Sequence, residues 1–330
     1  MICSDVAISI LQWEPAVQLS DRIGLRMKLH DLHVLIAVVQ AGSMGKAAAH
    51  LNTTQPAVSR SIAELERALG VRLLVRNNQG IAPTEYGRAL LDGGVAAFDD
   101  LRQAVKNIEF LADPMAGEIR IGCTPILAAS FVSAVVDRLS RRYPRIVFHF
   151  MTAYLEPLRR ELSERNVDLL IVRRFTPAAD ERVNFESLFD DSYVVATGAQ
   201  NQWARRRRIE LAELASEPWT LPPQESVIGA LATEAFRASG LDYPRTTVVT
   251  DSPHVRASLV TTGRFVTIFP ASVLGLLKTR SEIKVLPVDL PMARVPNVIV
   301  TVRNRILSPV AQLFIEQARE VAKPLAKYKQ

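Results

Sequence analysis

Gln55, Ser59 and Arg60 are residues whose types and spacing suit recognition chemistry. On a helix, positions 55, 59 and 60 share one outward face near its start. A carboxamide pairs with an adenine edge, a guanidinium with guanine or with a phosphate, and a hydroxyl with any base. Thr54 and Pro56 flank Gln55. The threonine is a ready helix cap, and a proline in the first turn loses only an N–H that would have had no partner. A helix starting there aims free amides at a phosphate. Thr54, Gln55, Pro56, Ser59 and Arg60 are therefore the candidate base-reading residues. A second set, Thr124, Pro125, Arg173, Ser226, Thr250 and Thr267, suits a small ligand. Catalytic chemistry finds no support. Gly-x-Ser-x-Gly, His-Glu-x-x-His, a glycine-rich phosphate loop and Cys/His ligand spacing are all missing, and His30, His33, His50, His149 and His254 form no ligand pattern. Neither catalytic residue, metal nor cofactor is expected, and His149 is expected to be a packed strand residue.

The elements that must position the first set are readable from apolar periodicity. Ala47, Ala48 and Leu51 share one helical face, and Val58, Ile62, Leu65 and Leu69 recur at steps of four, three and four. The polar turn between them makes Met44 to Ala63 a helix-turn-helix, able to place its second helix in a major groove. A plain helical hairpin with a solvated polar face has the same short pattern. Leu29 to Gln40 predicts a preceding helix with the stripe Leu32, Leu35, Ile36 and Val39, ended by Gly42 and Ser43. After Gly70, Arg72–Arg76 and Gly80–Pro83 read as a hairpin. This would be a wing whose Arg76, Asn77 and Asn78 reach phosphates or a minor groove, or else a simple surface hairpin. Thr84 to Ala112 predicts one long helix. Phe98, Leu101, Val105 and Ile108 step by three, four and three, the seam of a two-stranded coiled coil, which points to dimerisation. Gly93-Gly94 is expected to weaken that helix locally.

Asp113 to Gly117 breaks the helix, and the pattern turns to alternating strands and helices. Strands are expected at 118–123, 146–151, 167–172, 193–197, 247–250, 265–269, 283–287 and 298–302. Helices are expected at 125–142, 156–165, 227–238, 253–261 and 309–322. That rhythm implies parallel sheets with right-handed crossovers. Ligands of open α/β sheets bind at the carboxyl ends of strands against helix N-termini. The second candidate set occupies those ends: Thr124 and Ser226 offer hydroxyls at helix starts, which favours a carboxylate or other anion, and Arg173 supplies counter-charge. A helix cap or a surface charge is the plainer reading of each taken singly. The run Arg205–Arg208 is expected to be a solvated loop.

Composition narrows the class. The chain has 330 residues, a net charge of +6 and two cysteines, Cys3 and Cys123. This is ample for two or three domains, compatible with nucleic acid, and without a disulfide framework. No apolar run approaches a membrane span, and residues 1–26 do not read as a secretory signal. A cytoplasmic location without membrane attachment follows as an expectation.

The residues from Leu29 to Gly87 resemble the N-terminal domain of LysR-type transcriptional regulators. The resemblance rests on Gln-Pro-Ala-Val-Ser-Arg at 55–60, Leu65-Glu66, Gly70 and Thr84-Glu85-x-Gly87. Leu74-Val75-Arg76 and Ala82-Pro83-Thr84 depart from the family's Leu-Phe-x-Arg and x-Leu-Thr. The alternating α/β part resembles the family's two-lobed effector domain, akin to periplasmic binding proteins. The resemblance implies an α/β multidomain chain. Its parts would be an extension at 1–26, disordered or resulting from a start codon placed too early, a winged helix-turn-helix at 27–84, a linker and dimerisation helix at 85–116, and an effector-binding domain at 117–330. Lobe I would take 117–191 and 289–330, and lobe II 192–288. The implied partners are double-stranded DNA with a dyad site, a small-molecule inducer held between the lobes, and other copies of the chain in a dimer or tetramer. RNA polymerase is a further candidate partner. A transport-type solute receptor would explain the lobes but not residues 29–112, and an enzyme on this scaffold would lack a nucleophile or a metal set.

Overall fold

A computed structural model describes residues 27–77, 80–174, 180–276 and 282–326. The chain divides into two compact units, one through Asp99 and one from Asp100. In the first, α1 (Leu29–Ala41), α2 (Met44–His50) and α3 (Gln55–Leu69) precede a two-stranded hairpin, β1 (Leu74–Asn77) and β2 (Gly80–Pro83). The helix ends obey local chemistry. Gly42 and Gly70 close α1 and α3 in the left-handed conformation, and the Ser43 hydroxyl accepts from the Lys46 amide. Leu32, Leu35, Val38, Ala47, Ala48, Val58, Ile62 and Leu65 form one core. The Glu66 carboxylate accepts the Leu73 amide at 2.7 Å and so ties α3 to the hairpin.

Thr84 and Gly87 anchor the next helix. The Thr84 hydroxyl donates to the Arg72 carbonyl at 2.8 Å and accepts from the Gly87 amide at 3.0 Å. A side chain at Gly87 would sit 2.1 Å from the Leu73 carbonyl oxygen, so only glycine fits there. Helix α4 (Glu85–Ala112) is continuous through Gly93-Gly94. The expected weak point is instead a packing site, because a Cβ on Gly94 would meet the Leu32 side chain at 2.8 Å.

The second unit holds two five-stranded sheets. One has the order β4-β3-β5-β12-β6, from β3 (Ala116–Cys123), β4 (Arg145–Thr152), β5 (Leu169–Arg173), β6 (Val183–Asp191) and β12 (Val295–Val302). The other has the order β11-β7-β10-β8-β9, from β7 (Tyr193–Gly198), β8 (Trp219–Leu221), β9 (Thr246–Val249), β10 (Val266–Pro270) and β11 (Ile283–Val285). Successive residues of β5 face opposite cores: Leu169 and Ile171 pack with Phe131 and Phe314, while Leu170 and Val172 pack with Leu158 and Leu162. The helices are α5, α6 (Leu155–Ser163), α7 (Val227–Ala238), α8 (Pro253–Thr261), α9 (Ala271–Leu276) and α10 (Pro309–Ala326). Helix α5 opens at Pro125–Leu127, widens into a π turn at Ala128–Val132 and continues as Ser133–Arg142.

Two expectations need correction. The sheets are mixed, not parallel: β3 pairs parallel with β4 and β5, but β12 is antiparallel to β5 and β6, and β7 is antiparallel to β10 and β11. The reason is the path between sheets. β6 leaves toward the second sheet and β12 returns from it, so the two crossing strands run oppositely and pair, with Val295 opposite Asp191. His149 is not packed. It lies on edge strand β4, with its Nε2 3.5 Å from a Glu118 oxygen. The arginine run 205–208 is exposed, and Arg206 pairs with Glu213 at 3.0 Å.

Candidate nucleic-acid interface and ligand cavity

The first unit sorts α3 into two faces. Val58, Ile62 and Leu65 are buried, whereas Thr54, Gln55, Pro56, Ser59, Arg60 and Ala63 are exposed. The Thr54 hydroxyl caps the helix by accepting the Ala57 amide at 3.4 Å, and Pro56 occupies the first turn. The amide, hydroxyl and guanidinium of positions 55, 59 and 60 thus stand together on solvent, at the positive end of a helix dipole. Arg76 and Asn77 are exposed at the end of β1. Asn78 lies outside the described residues.

Helix α4 divides its apolar positions differently from the expected seam. Phe98 packs into the core of the first unit, edge-on to the His33 ring at 5.6 Å between centroids, so it is not a seam residue. Its ring serves its own domain because α4 lies against α1 as far as that turn. Beyond it, Leu101, Val105, Ile108 and Leu111 are 48%, 53%, 66% and 81% exposed. Leu111, overlooked in the periodicity, extends the stripe.

A cavity of about 370 Å³ opens between the two sheets of the second unit. Thr124, Pro125, Arg173 and Ser226 line it, together with Ile126, Val172, Val227 and Ile228. Thr250 and Thr267 do not. Thr250 turns its hydroxyl to accept the Ser252 amide, and Thr267 is fully buried, its hydroxyl donated to the Thr220 carbonyl at 2.6 Å. The alternation of β10 explains the second: Ile268, one residue on, faces the cavity instead. Thr124 makes no side-chain cap, and its buried hydroxyl has no partner among the described residues. Ser226 does cap α7, accepting the Gly229 amide at 3.0 Å while donating to the Pro223 carbonyl.

Sequence reasoning missed Tyr154, Tyr193 and Arg256, all on the cavity wall. Arg256 lies within a helix predicted correctly, but nothing in its spacing showed that it points inward. It is buried, donates to the Ile268 carbonyl at 3.0 Å and stacks 5.2 Å from the Phe269 ring. Burial pulls its pKa down to about 10, which leaves it charged at neutral pH. Arg173 is buried with one nitrogen 3.6 Å from the Asp191 carboxylate, which also accepts the Ser272 amide at 3.0 Å. Burial pushes the Tyr193 phenol up to about 12. At the rim, burial and a hydrogen bond to Asp251 raise the Tyr154 phenol. Cys123 is a buried free thiol, pushed up to about 12 by burial.

Comparison with known proteins gives matches to two family models. The LysR substrate binding domain model matches residues 112–323, and the model of bacterial regulatory helix-turn-helix proteins of the lysR family matches residues 29–88. GbpR of Azospirillum brasilense, an HTH-type transcriptional regulator, is 23% identical over 295 residues, covering 89% of this chain and 86% of that protein. Among solved structures, full-length OxyR from Pseudomonas aeruginosa superposes with a TM-score of 0.64 at 21% identity, covering 92% of this chain and 99% of that one. CbnR, a LysR regulator solved in complex with its target DNA, gives a TM-score of 0.51 at 21% identity, covering 90% of this chain and 100% of that one. These likenesses extend over both units.

Proposed function

The chain belongs to the LysR family of bacterial helix-turn-helix regulators, and from that premise we propose how its parts divide the work. It is a DNA-binding transcriptional regulator with an effector-binding domain, and it is not an enzyme. The exposed face of α3 reads a major groove through Gln55, Ser59 and Arg60, with Thr54 and Pro56 setting the helix start against a phosphate. Arg76 and Asn77, with Asn78 beside them, supply backbone contacts from the wing. Leu101, Val105, Ile108 and Leu111 pair two chains, so that two reading helices meet a dyad site. A small molecule enters the cavity walled by Thr124, Pro125, Arg173 and Ser226. There it shifts the balance between two subunit arrangements, which requires unequal affinity for them. A tetramer built from two such dimers, contact with RNA polymerase, and action in the cytoplasm complete the reading. The solved CbnR complex with DNA supports this use of the fold.

One observation carries the DNA assignment: a capped helix that buries Val58, Ile62 and Leu65 leaves a carboxamide, a hydroxyl and a guanidinium together on solvent. A gel-shift of the full-length protein on the region upstream of its own gene tests it. A retarded band that resists unrelated competitor DNA is expected, and absence of sequence preference at low salt would remove the assignment. A solute receptor of the transport type is disfavoured by the family match over residues 29–88.

A further inference from the structure

The buried charges around the cavity do not balance. Three ionised side chains on or beside its wall are at least nine-tenths buried: Arg173 at 7%, Arg256 at 5% and Asp191 at 3% exposure. Asp191 is satisfied by Ser272 and faces Arg173 at 3.6 Å. Among the described residues Arg256 has no carboxylate partner and its Nε is buried without a hydrogen-bond partner, while one nitrogen donates to a backbone carbonyl. Among the described residues the Arg173 Nε and Nη2 likewise lack hydrogen-bond partners, as do the Thr124 and Tyr193 hydroxyls. A buried guanidinium without a counter-charge is costly, and a cluster of unanswered donors calls for one strong acceptor. The remaining wall is mainly aliphatic and proline-rich, with Tyr154, Ser226 and the carboxylate of Asp251, which is exposed to solvent and forms no ion pair with Arg256 among the described residues.

We propose that the effector is a singly charged organic anion with an apolar body, an apolar monocarboxylate, whose carboxylate is the counter-ion of Arg256 and takes up the free donors of Arg173. This rests on the cavity being the effector site. Two buried cations and one buried anion leave room for a single negative charge. A second carboxylate would lie against aliphatic wall or near Asp191 and Asp251, where it is repelled. A neutral amide of the same shape would leave Arg256 uncompensated. The volume, about 370 Å³, falls at the small end of ligand sites. Arg256 is then the residue that selects charge, and the aliphatic wall selects the body.

Thermal shift of the full-length protein at fixed ionic strength tests this. The probes are hexanoate, octanoate and cyclohexanecarboxylate, each beside its amide, with adipate as the dicarboxylate. At least one monocarboxylate should raise the melting temperature, and its amide and adipate should not. Arg256→Met should raise the half-saturating concentration on the order of tenfold to a hundredfold, the range for a hydrogen bond to a charged group. Arg256→Lys should fall between, and it serves if the methionine variant does not fold. An amide or adipate acting as well as the acid, an unchanged response in both variants, or no response to any monocarboxylate overturns the proposal. Ile228→Trp, which fills the cavity, separates the two layers. An amide response lost in Ile228→Trp but kept in Arg256→Met keeps the cavity and rejects the charge. A response untouched by Ile228→Trp rejects the cavity as well.

Discussion

At the scale of single residues, Arg60 and Ser59 are exposed on α3 and contribute nothing to the core, so their replacement tests recognition without disturbing the fold. Arg60→Ala or Ser59→Ala should weaken DNA binding by about 1–3 kcal/mol if each makes a good base contact, with thermal stability unchanged; titration by fluorescence anisotropy reads this. Asp191 is the opposite case. Its carboxylate holds the Ser272 amide and faces buried Arg173. Asp191→Ala should therefore cost about 3–5 kcal/mol of unfolding free energy, because it strands a buried cation; urea denaturation measures it. Cys123, with its thiol near 12, is almost wholly protonated at pH 8. Its native alkylation by iodoacetamide should therefore be slow and become fast only in denaturant, as followed by peptide mass spectrometry. The residues legible in the sequence were those whose role is local: the Thr54 cap, the Ser226 cap, and the polar face of α3. Arg256 and Tyr193 were not legible, since which way they face is decided by a cavity assembled from strands far apart in the chain.

At the scale of elements, periodicity located most helices and strands, because burial on one side imposes its own spacing. It failed where neighbours decide. Phe98 keeps the seam's spacing yet packs beside His33, because α4 lies on α1 there. Strand β6 was missed because residues 183–191 alternate weakly, and its pairing with β12 reflects the path between sheets. The divided helix gives a paired prediction. Phe98→Ala should loosen the first unit by about 2–3 kcal/mol, less than a fully buried aromatic, without changing subunit number. Val105→Asp with Ile108→Asp should leave each chain folded but monomeric. Calorimetry and analytical ultracentrifugation distinguish the two outcomes. A stable dimer of the double aspartate variant would move the interface off α4.

At the scale of the whole molecule, the basic charges of the first unit should count twice when two copies act together. Lys28, Lys46, Arg60, Arg67, Arg72 and Arg76 are all exposed there. Each phosphate they neutralise releases counter-ions, so log K should fall with log salt by about 0.9 per phosphate contacted. Two units bound to one duplex contact twice as many phosphates as one, and their linkage raises the effective concentration of the second. If α4 pairs two chains, the Val105→Asp/Ile108→Asp variant should therefore bind the same fragment with about half the salt slope of the unsubstituted protein, as well as more weakly. Anisotropy titrations over a range of chloride concentrations give both slopes. An Arg60→Ala dimer should instead lose affinity on its preferred site while its slope changes little, if Arg60 reads a base. If it contacts phosphate, the slope should drop by about one unit for each affected contact and affinity should fall uniformly across sequences. Equal slopes for monomer and dimer would mean that one unit supplies all the phosphate contacts, and the symmetric mode of binding would then have to be abandoned.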